Sequence, residues 1–395
     1  MTSRNYDLVL FGATGFTGGL TAEYLAQNAP EKMMATGRWA IAGRSLQKLE
    51  AVRERLASLN PACAAMPLLV TDADDAAALA EIARSTKVII TTVGPYLKYG
   101  EPLVKACAEA GTHYCDLTGE PEFVDAMWLK YHETAKRSGA KLVHCCGFDS
   151  IPHDLGAYFT VLQLPGDNAI RVQGFVNAGG QFSGGTLHSA VNQFSRLGQY
   201  AKVRSARRKR DEWPLDRKIG GVNAGVRFIK SLGTWTAPMP TIDPQIVLRS
   251  AAALERYGPA FRYGHFIQMK TLGAVAKLGA GVGAALVGSQ VGFLRDKLLA
   301  LKQPGDGPSA ERRAKSWFKV TFIGESAGQR VVTSVSGGDP GYGETSKMLA
   351  ESGLCLAFDK LPAKAGQLTT VVAMGDALIK RLQKAGIQFT VEHAA

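Results

Sequence analysis

Residues 7–26 read DLVLFGATGFTGGLTAEYLA, and this stretch decides how the rest of the chain is read. Leu8–Phe11 is a short apolar run suited to a buried strand, and Leu20–Gln27 reads as a helix. Between them Gly12, Gly15 and Gly18 recur at intervals of three. A strand, a glycine-rich turn and a helix together lay a dinucleotide pyrophosphate against a helix N-terminus. In that reading Gly12 permits the tight turn, Gly15 leaves room for phosphate, and Gly18 lets helix and strand pack closely. The spacing is G-x-x-G-x-x-G, a variant of the usual G-x-G-x-x-G, and a glycine turn that holds no ligand is the competing reading.

Outward from this loop, strand and helix alternate. Trp39–Ala42, Met66–Val70, Lys87–Val93, His113–Leu117 and Lys141–His144 read as further strands. Leu46–Leu59, Ala76–Arg84, Pro102–Ala110 and Phe123–Ser138 read as the helices between them. Strands separated by helices of this length form right-handed βαβ units and a parallel sheet. The predicted fold class is therefore α/β, a doubly wound parallel-sheet (Rossmann) domain. In that setting Gly12, Ala13, Thr14, Gly15, Phe16, Thr17 and Gly18 form the candidate pyrophosphate loop.

Composition sets the outer limits. The chain has 395 residues, 46% hydrophobic and 20% charged, which is globular composition and long enough for two domains. Its six cysteines show no C-x-x-C, and its seven histidines show no H-E-x-x-H or finger spacing, so a reduced, metal-free cytoplasmic protein is expected. No charged region followed by a long apolar run precedes the first strand, so no signal peptide is visible. The net charge of +12 points to anionic partners: phosphates, an acidic carrier protein or a membrane surface.

The second strand narrows the cofactor. An NAD-preferring site places an acidic residue at its end, to bind the ribose hydroxyls. Here WAIAGRSLQKL gives Arg44, Ser45 and Lys48 instead, which suit the 2′-phosphate of NADP(H); a solvated Arg44 is the alternative. Asp72, at the end of the third strand, is a candidate adenine contact. Val93, Gly94 and Pro95, at the end of the fourth, are candidates beside the nicotinamide ribose.

Taken together, GATGFTG, AGRS, TTVGPYLKYGEPLVKAC, HYCDLTGE, CGFDSIPHDLG and GDPGYGETSKML resemble the saccharopine-dehydrogenase-like oxidoreductases. Within that group the sequence is most similar to the trans-acting enoyl reductases of lipid biosynthesis. The likeness runs from Asp7 to about residue 160 and returns from about Ser336. It implies a nicotinamide-binding Rossmann domain, an inserted α+β second domain, and a homodimer. The expected division is 1–155 for the nucleotide domain, 156–338 for a substrate and dimerisation domain, and 339–395 for a C-terminal return to the first.

Hydride transfer also needs a group that donates a proton or steadies negative charge. Tyr96 and Asp149 are the candidate catalytic residues, with Lys98, Tyr99, Asp116, Glu120, Ser150 and His153 at nearby strand ends. The competing reading makes Pro95–Tyr96 a turn and Asp149 the cap of a helix beginning near Ile151.

The middle of the chain differs in texture. Ile170–Ala178 reads as a strand, and GGQFSGGTLHSAVNQF (179–194) as a glycine turn into a helix. KVRSARRKRDEW crowds Lys202, Arg204, Arg207, Arg208, Lys209 and Arg210 together. Lys315–Ile323 and Arg330–Ser336 read as an antiparallel pair, Leu378–Lys384 as a helix and Gln388–Val391 as a last strand. Leu278–Leu294 is uncharged and glycine-rich, at the short limit for crossing a bilayer, and is read first as a buried core helix and second as a lipid-facing one.

Three function classes remain open. They are an NADP(H)-dependent oxidoreductase reducing an enoyl bond of a lipid- or carrier-linked acyl chain, a saccharopine-type amino-acid oxidoreductase, and a non-catalytic NADP(H)-binding scaffold. Expected partners are an acyl substrate, an acyl carrier protein and a peripheral membrane contact at the inner face of the plasma membrane. No nucleic acid is expected, because the basic cluster lacks interleaved aromatics or a reading motif.

Overall fold

Three strands of the first unit carry apolar runs (Leu8–Phe11, Trp39–Ala42 and Val88–Ile90) that are buried, as in a sheet covered on both faces. A computed structural model of the protein describes residues 4–179, 191–300 and 307–394. It divides into two units, one of Met1–Phe148 with Tyr342–Arg381, the other of Asp149–Pro304, Pro308–Gly341 and Leu382–Ala395.

The first unit holds seven strands: β1 (Tyr6–Phe11), β2 (Trp39–Gly43), β3 (Leu68–Val70), β4 (Thr86–Thr91), β5 (His113–Asp116), β6 (Lys141–Val143) and β14 (Gly366–Leu368). They are ordered β14-β6-β5-β4-β1-β2-β3, and every pairing is parallel. This is the doubly wound Rossmann arrangement, with the order reversing beside β1. Leu8, Val9 and Leu10 are fully buried, so β1 sits at the centre of the core. Helix starts follow their caps: Ser45 opens Leu46–Leu59 and Asp75 opens Ala76–Ser85, each side chain accepting a backbone N–H. Helix Gly343–Phe358, far along the chain, packs on β1, β4 and β5, and so completes the layer over the sheet.

The second unit is built on a mixed sheet of β7 (Ile170–Gly179), β8 (Lys218–Gly221), β9 (Arg227–Ile229), β10 (Thr234–Pro238), β11 (Ala260–Met269), β12 (Trp317–Ser326), β13 (Gln329–Gly337) and β15 (Gln388–Ala394). The main path is β15-β13-β12-β7-β11-β10-β9, and β8 pairs β11. β12 and β13 are antiparallel, as the sequence suggests. Helix Ile151–Leu162 covers this sheet, and Thr160 Oγ1 and Thr333 Oγ1 lie 2.6 Å apart, one hydroxyl donating to the other.

Two expectations change, and a third lies outside the described residues. The C-terminal return to the Rossmann sheet stops at Arg381: the last strand, β15, pairs with β13 in the second unit instead. The apolar segment is not a core helix. It lies in helices Leu272–Gln290 and Gly292–Ala300, and only 17% of the most apolar window of the first is buried. Composition could not separate the two cases, because a core helix and an exposed apolar helix carry the same residues. The helix expected within 179–194 falls largely on 180–190, outside the described residues.

Candidate functional site

The glycine loop has the geometry its spacing calls for. Gly12 follows β1 at a φ of +96°, a region that side chains rarely adopt. A methyl there would lie 2.7 Å from Thr92 Oγ1 and 2.8 Å from Val93 Cγ2. At Gly18 a methyl would stand 2.1 Å from the Gly12 carbonyl oxygen, so only glycine lets the helix approach the strand this closely. Gly15 is different: a methyl there would meet only Gly12 O, at 3.5 Å, and otherwise points into open space beside exposed Thr14. Gly15 is the N-cap of helix Phe16–Asn28, with no side-chain cap bond and no acidic residue in the first turn. The positive end of that helix is therefore left for a ligand's charge.

Segments distant in sequence hold the loop in place. Thr92 Oγ1 donates to Gly12 O at 3.1 Å, fixing the loop to the end of β4. Ser346 Oγ, from GETSK, donates to Thr17 O at 3.3 Å, and Tyr342 packs edge-on against Phe16 with ring centroids 4.8 Å apart. Thr345 Oγ1 accepts from Phe148 N at 3.1 Å, so the GETSK and CGFD motifs meet. Thr92, Thr345 and Ser346 were not singled out from sequence. The GETSK motif was legible, but its contacts were not.

Arg44 and Lys48 are exposed at the carboxyl end of β2, the neighbour of β1, and no acidic residue lies between Gly43 and Leu49. Ser45 is committed to local structure, its Oγ accepting from Lys48 N at 3.4 Å as the helix cap. Asp72 is exposed after β3, with Oδ1 accepting from Ala73 N at 2.6 Å. Val93 borders the glycine loop at Gly12, Gly94 lies against Tyr96, and Pro95 is the N-cap of helix Tyr96–Tyr99.

Tyr96, read from sequence as a candidate proton donor, is buried with its hydroxyl bonded to the backbone, which favours the competing reading of a turn residue. Its ring is 5% exposed against Phe123, and its hydroxyl donates to Thr91 O at 3.1 Å. Burial first, then the charge of Asp116, pushes this phenol well above its usual range. Glu120 secures the turn, its carboxylate accepting from Tyr96 N at 3.1 Å and Leu97 N at 2.8 Å. Asp116 does the same for HYCDLTGE: its carboxylate meets Tyr114 OH at 2.8 Å, His144 Nδ1 at 2.6 Å, Thr118 N at 3.1 Å and Cys145 N at 3.1 Å.

Asp149 opens the second unit. It does not cap the following helix: the N-cap of Ile151–Leu162 is Ser150, with no side-chain cap bond. Burial and the charge of Asp243 push the Asp149 carboxyl up to about 7. Asp243 is itself buried between two imidazoles, with His265 Nε2 at 3.4 Å and His153 Nε2 at 3.8 Å. Tyr263 OH lies 3.2 Å from His265 Nδ1, and Thr241 Oγ1 donates to Asp243 Oδ2. Burial pushes His153 and His265 down to about 3, so both are neutral at pH 7. The donor atoms of His153, Asp243 and His265 lie within 4.8 Å of one another, a spacing a divalent cation accepts. The sequence offered no signal for this set, because its members come from two helices and β11.

Comparison with known proteins agrees with this geometry. Residues 8–143 match the saccharopine dehydrogenase NADP-binding domain. Over 430 aligned residues the chain is 38% identical to a Mycobacterium tuberculosis protein named "Putative trans-acting enoyl reductase", covering 100% of this chain and 99% of that one. The chain belongs to the saccharopine-dehydrogenase-like oxidoreductases. A trans-acting enoyl reductase of Mycobacterium ulcerans is 35% identical, with 97% of each chain covered. The apo saccharopine dehydrogenase (L-Glu forming) of Saccharomyces cerevisiae shares the fold, with a TM-score of 0.55 at 12% identity over 98% of this chain and 99% of that one. The protein thus has an NADP(H)-binding domain of this oxidoreductase family. The open face at Gly15, the uncapped helix end and Arg44 with Lys48 fit that cofactor's pyrophosphate and 2′-phosphate.

Proposed function

We propose that this oxidoreductase reduces an enoyl double bond of a lipid- or carrier-linked acyl chain. The observation that carries the reading is 38% identity along the whole length to a relative named for that activity, rather than along the nucleotide domain alone. Bound NADPH supplies the hydride for such a reduction. The chain's own residues bind and orient that cofactor: the glycine loop seats the pyrophosphate, and Arg44 and Lys48 hold the 2′-phosphate. The reduction also consumes a proton. Asp149 is the proposed donor, since an acid pushed up to about 7 is still substantially protonated near neutral pH. The Asp243–His153–His265 cluster acts through Asp149, because the negative charge of Asp243 helps keep the Asp149 proton in place.

The saccharopine-type alternative has the family match of the nucleotide domain, residues 8–143, and a fold likeness at 12% identity, against 38% along the whole chain for the enoyl reading; the scaffold alternative predicts no turnover at all. NADPH consumption with enoyl-thioesters of increasing chain length, run beside saccharopine with NADP+, tests the three together. Enoyl reduction that fails on Asp149→Asn while NADPH still binds supports the proposal. Turnover of saccharopine and not of enoyl-thioesters would overturn it.

A further inference from the structure

Helix Leu272–Gln290 leaves most of its apolar surface uncovered. Its sequence has no acidic residue and Lys277 as its only cation, and the mean hydropathy of its most apolar window is 1.5. Val275, Gly288 and Ser289 are its buried residues. Leu272, Val282, Leu286 and Val287 are exposed, and so are Val291, Phe293 and Leu294 leading into the next helix. A core helix would bury these side chains, and a water-facing helix would carry charge in their place. An apolar helix that is neither must meet an apolar phase or a partner.

The neighbouring charge indicates which. Helix Leu197–Arg210 contains no acidic residue, and Lys202, Arg204, Arg208, Lys209 and Arg210 are exposed on it. Arg207 is buried, 3.8 Å from Asp211, so five of the six crowded cations face outward. Lys202, Lys209 and Arg210 share a shallow hollow of about 570 Å³ with Ala201, Ser205 and Ala206. The two helices are tied locally, because Gln290 Nε2, at the end of the apolar helix, donates to Phe194 O, just before the basic one, at 2.6 Å. Its other end follows directly on β11, and the helix packs on β10 and β11. It is therefore anchored to its own unit at both ends, which suits a helix lying along a surface rather than one crossing a bilayer. Phe293, with Lys297 Nζ 4.3 Å from its ring centre, offers the aromatic-and-cation pairing that sits at the headgroup level.

We infer that this face of the second unit seats the protein on an anionic lipid bilayer, with Leu272–Gln290 lying in the interface and the cations of Leu197–Arg210 meeting the headgroup phosphates. Apolar side chains enter the acyl boundary, while the basic helix selects anionic over zwitterionic lipid. The inference is independent of the reaction the protein catalyses.

Co-sedimentation of the full chain with vesicles tests it, comparing phosphatidylglycerol–phosphatidylcholine mixtures with pure phosphatidylcholine. The protein should pellet with the anionic vesicles and be released progressively as salt rises past about 0.15 M, where the Debye length is about 8 Å. Neutralising Arg208, Lys209 and Arg210 to Gln should weaken partitioning about a hundredfold, from about fivefold per cation. Val287→Asp with Phe293→Ser should weaken it at every salt concentration. All five positions are exposed, so the circular dichroism spectrum and Tm of the full chain should stay at wild type and serve as the folding control, with NADPH affinity unchanged in the first unit. Equal binding by wild type and both variants, or no binding to anionic vesicles, overturns the inference. So does a dimer that Val287→Asp dissociates in a protein that ignores vesicles, because a second copy then covers this face.

Discussion

Gly15→Ala and Gly18→Ala should separate cofactor binding from folding. At Gly18 the new methyl falls 2.1 Å from Gly12 O, 2.7 Å from Thr92 Oγ1 and 2.8 Å from Gly12 C. Two of those three atoms are backbone, so the strand-to-helix turn itself must move. Overpacking of this kind costs about 1–3 kcal/mol or more. For a unit of this size that lowers Tm by roughly 2–12 °C, at about 2–4 °C per kcal/mol. At Gly15 the methyl meets only Gly12 O, at 3.5 Å, and the backbone is extended at φ −81°, ψ 167°. Alanine adopts that conformation without strain, and its smaller unfolded-state entropy favours the fold by about 0.4–1 kcal/mol. Gly15→Ala should therefore melt at or slightly above wild type, yet bind NADPH at least about tenfold more weakly, a loss of about 1.4 kcal/mol or more, because the methyl occupies the pyrophosphate's approach. Scanning calorimetry without ligand and fluorescence titration with NADPH read the two quantities. A stable Gly15→Ala that binds NADPH like wild type would refute the loop's role, and a Gly18→Ala with unchanged Tm would refute the packing argument.

Arg44→Ala should weaken NADPH binding by about 1.5–3 kcal/mol, the range for a charged hydrogen bond, and leave NADH binding unchanged in the same calorimetric titration. The proton-donor proposal gives a sign with pH: kcat should hold below about 7 and fall as Asp149 ionises, and Asp149→Asn should flatten that limb and lower kcat by about 10²–10⁴. Its stability counterpart follows from the raised value. The fold favours the protonated acid, so this contribution is full below about pH 4, the unfolded value, and is lost as pH rises through about 7. Chemical denaturation across that window should show Asp149→Asn gaining on wild type as pH rises. Glu120→Ala should cost about 2–4 kcal/mol, because two backbone N–H groups at Tyr96 and Leu97 lose a charged acceptor; denaturation read by tryptophan fluorescence measures it.

The nucleotide unit was largely legible in the sequence because its constraints are local. Gly12 and Gly18 are forced by atoms of the turn and the adjoining strand, and the switch from strand to helix period marks each βαβ unit. The second unit was harder. Its sheet pairs strands distant in sequence, and the buried cluster takes His153, Asp243 and His265 from three separate elements. Nothing in their spacing announces that they meet. Tyr96 was ambiguous because a tyrosine at a strand end looks the same whether its hydroxyl faces a ligand or, as here, Thr91 O. The apolar helix was misread for a related reason: hydropathy records what a segment avoids, and not whether protein or something else covers it.

The most direct measurement supplies NADPH deuterated at the transferable position, together with a long-chain enoyl-thioester, and follows the product by mass spectrometry. The account predicts a saturated acyl product carrying one deuterium, formed by wild type and lost in Asp149→Asn with NADPH affinity intact. An unreduced acyl chain in the presence of tightly bound NADPH, with deuterium instead appearing in an amine formed from an amino acid and an oxo acid, would contradict it.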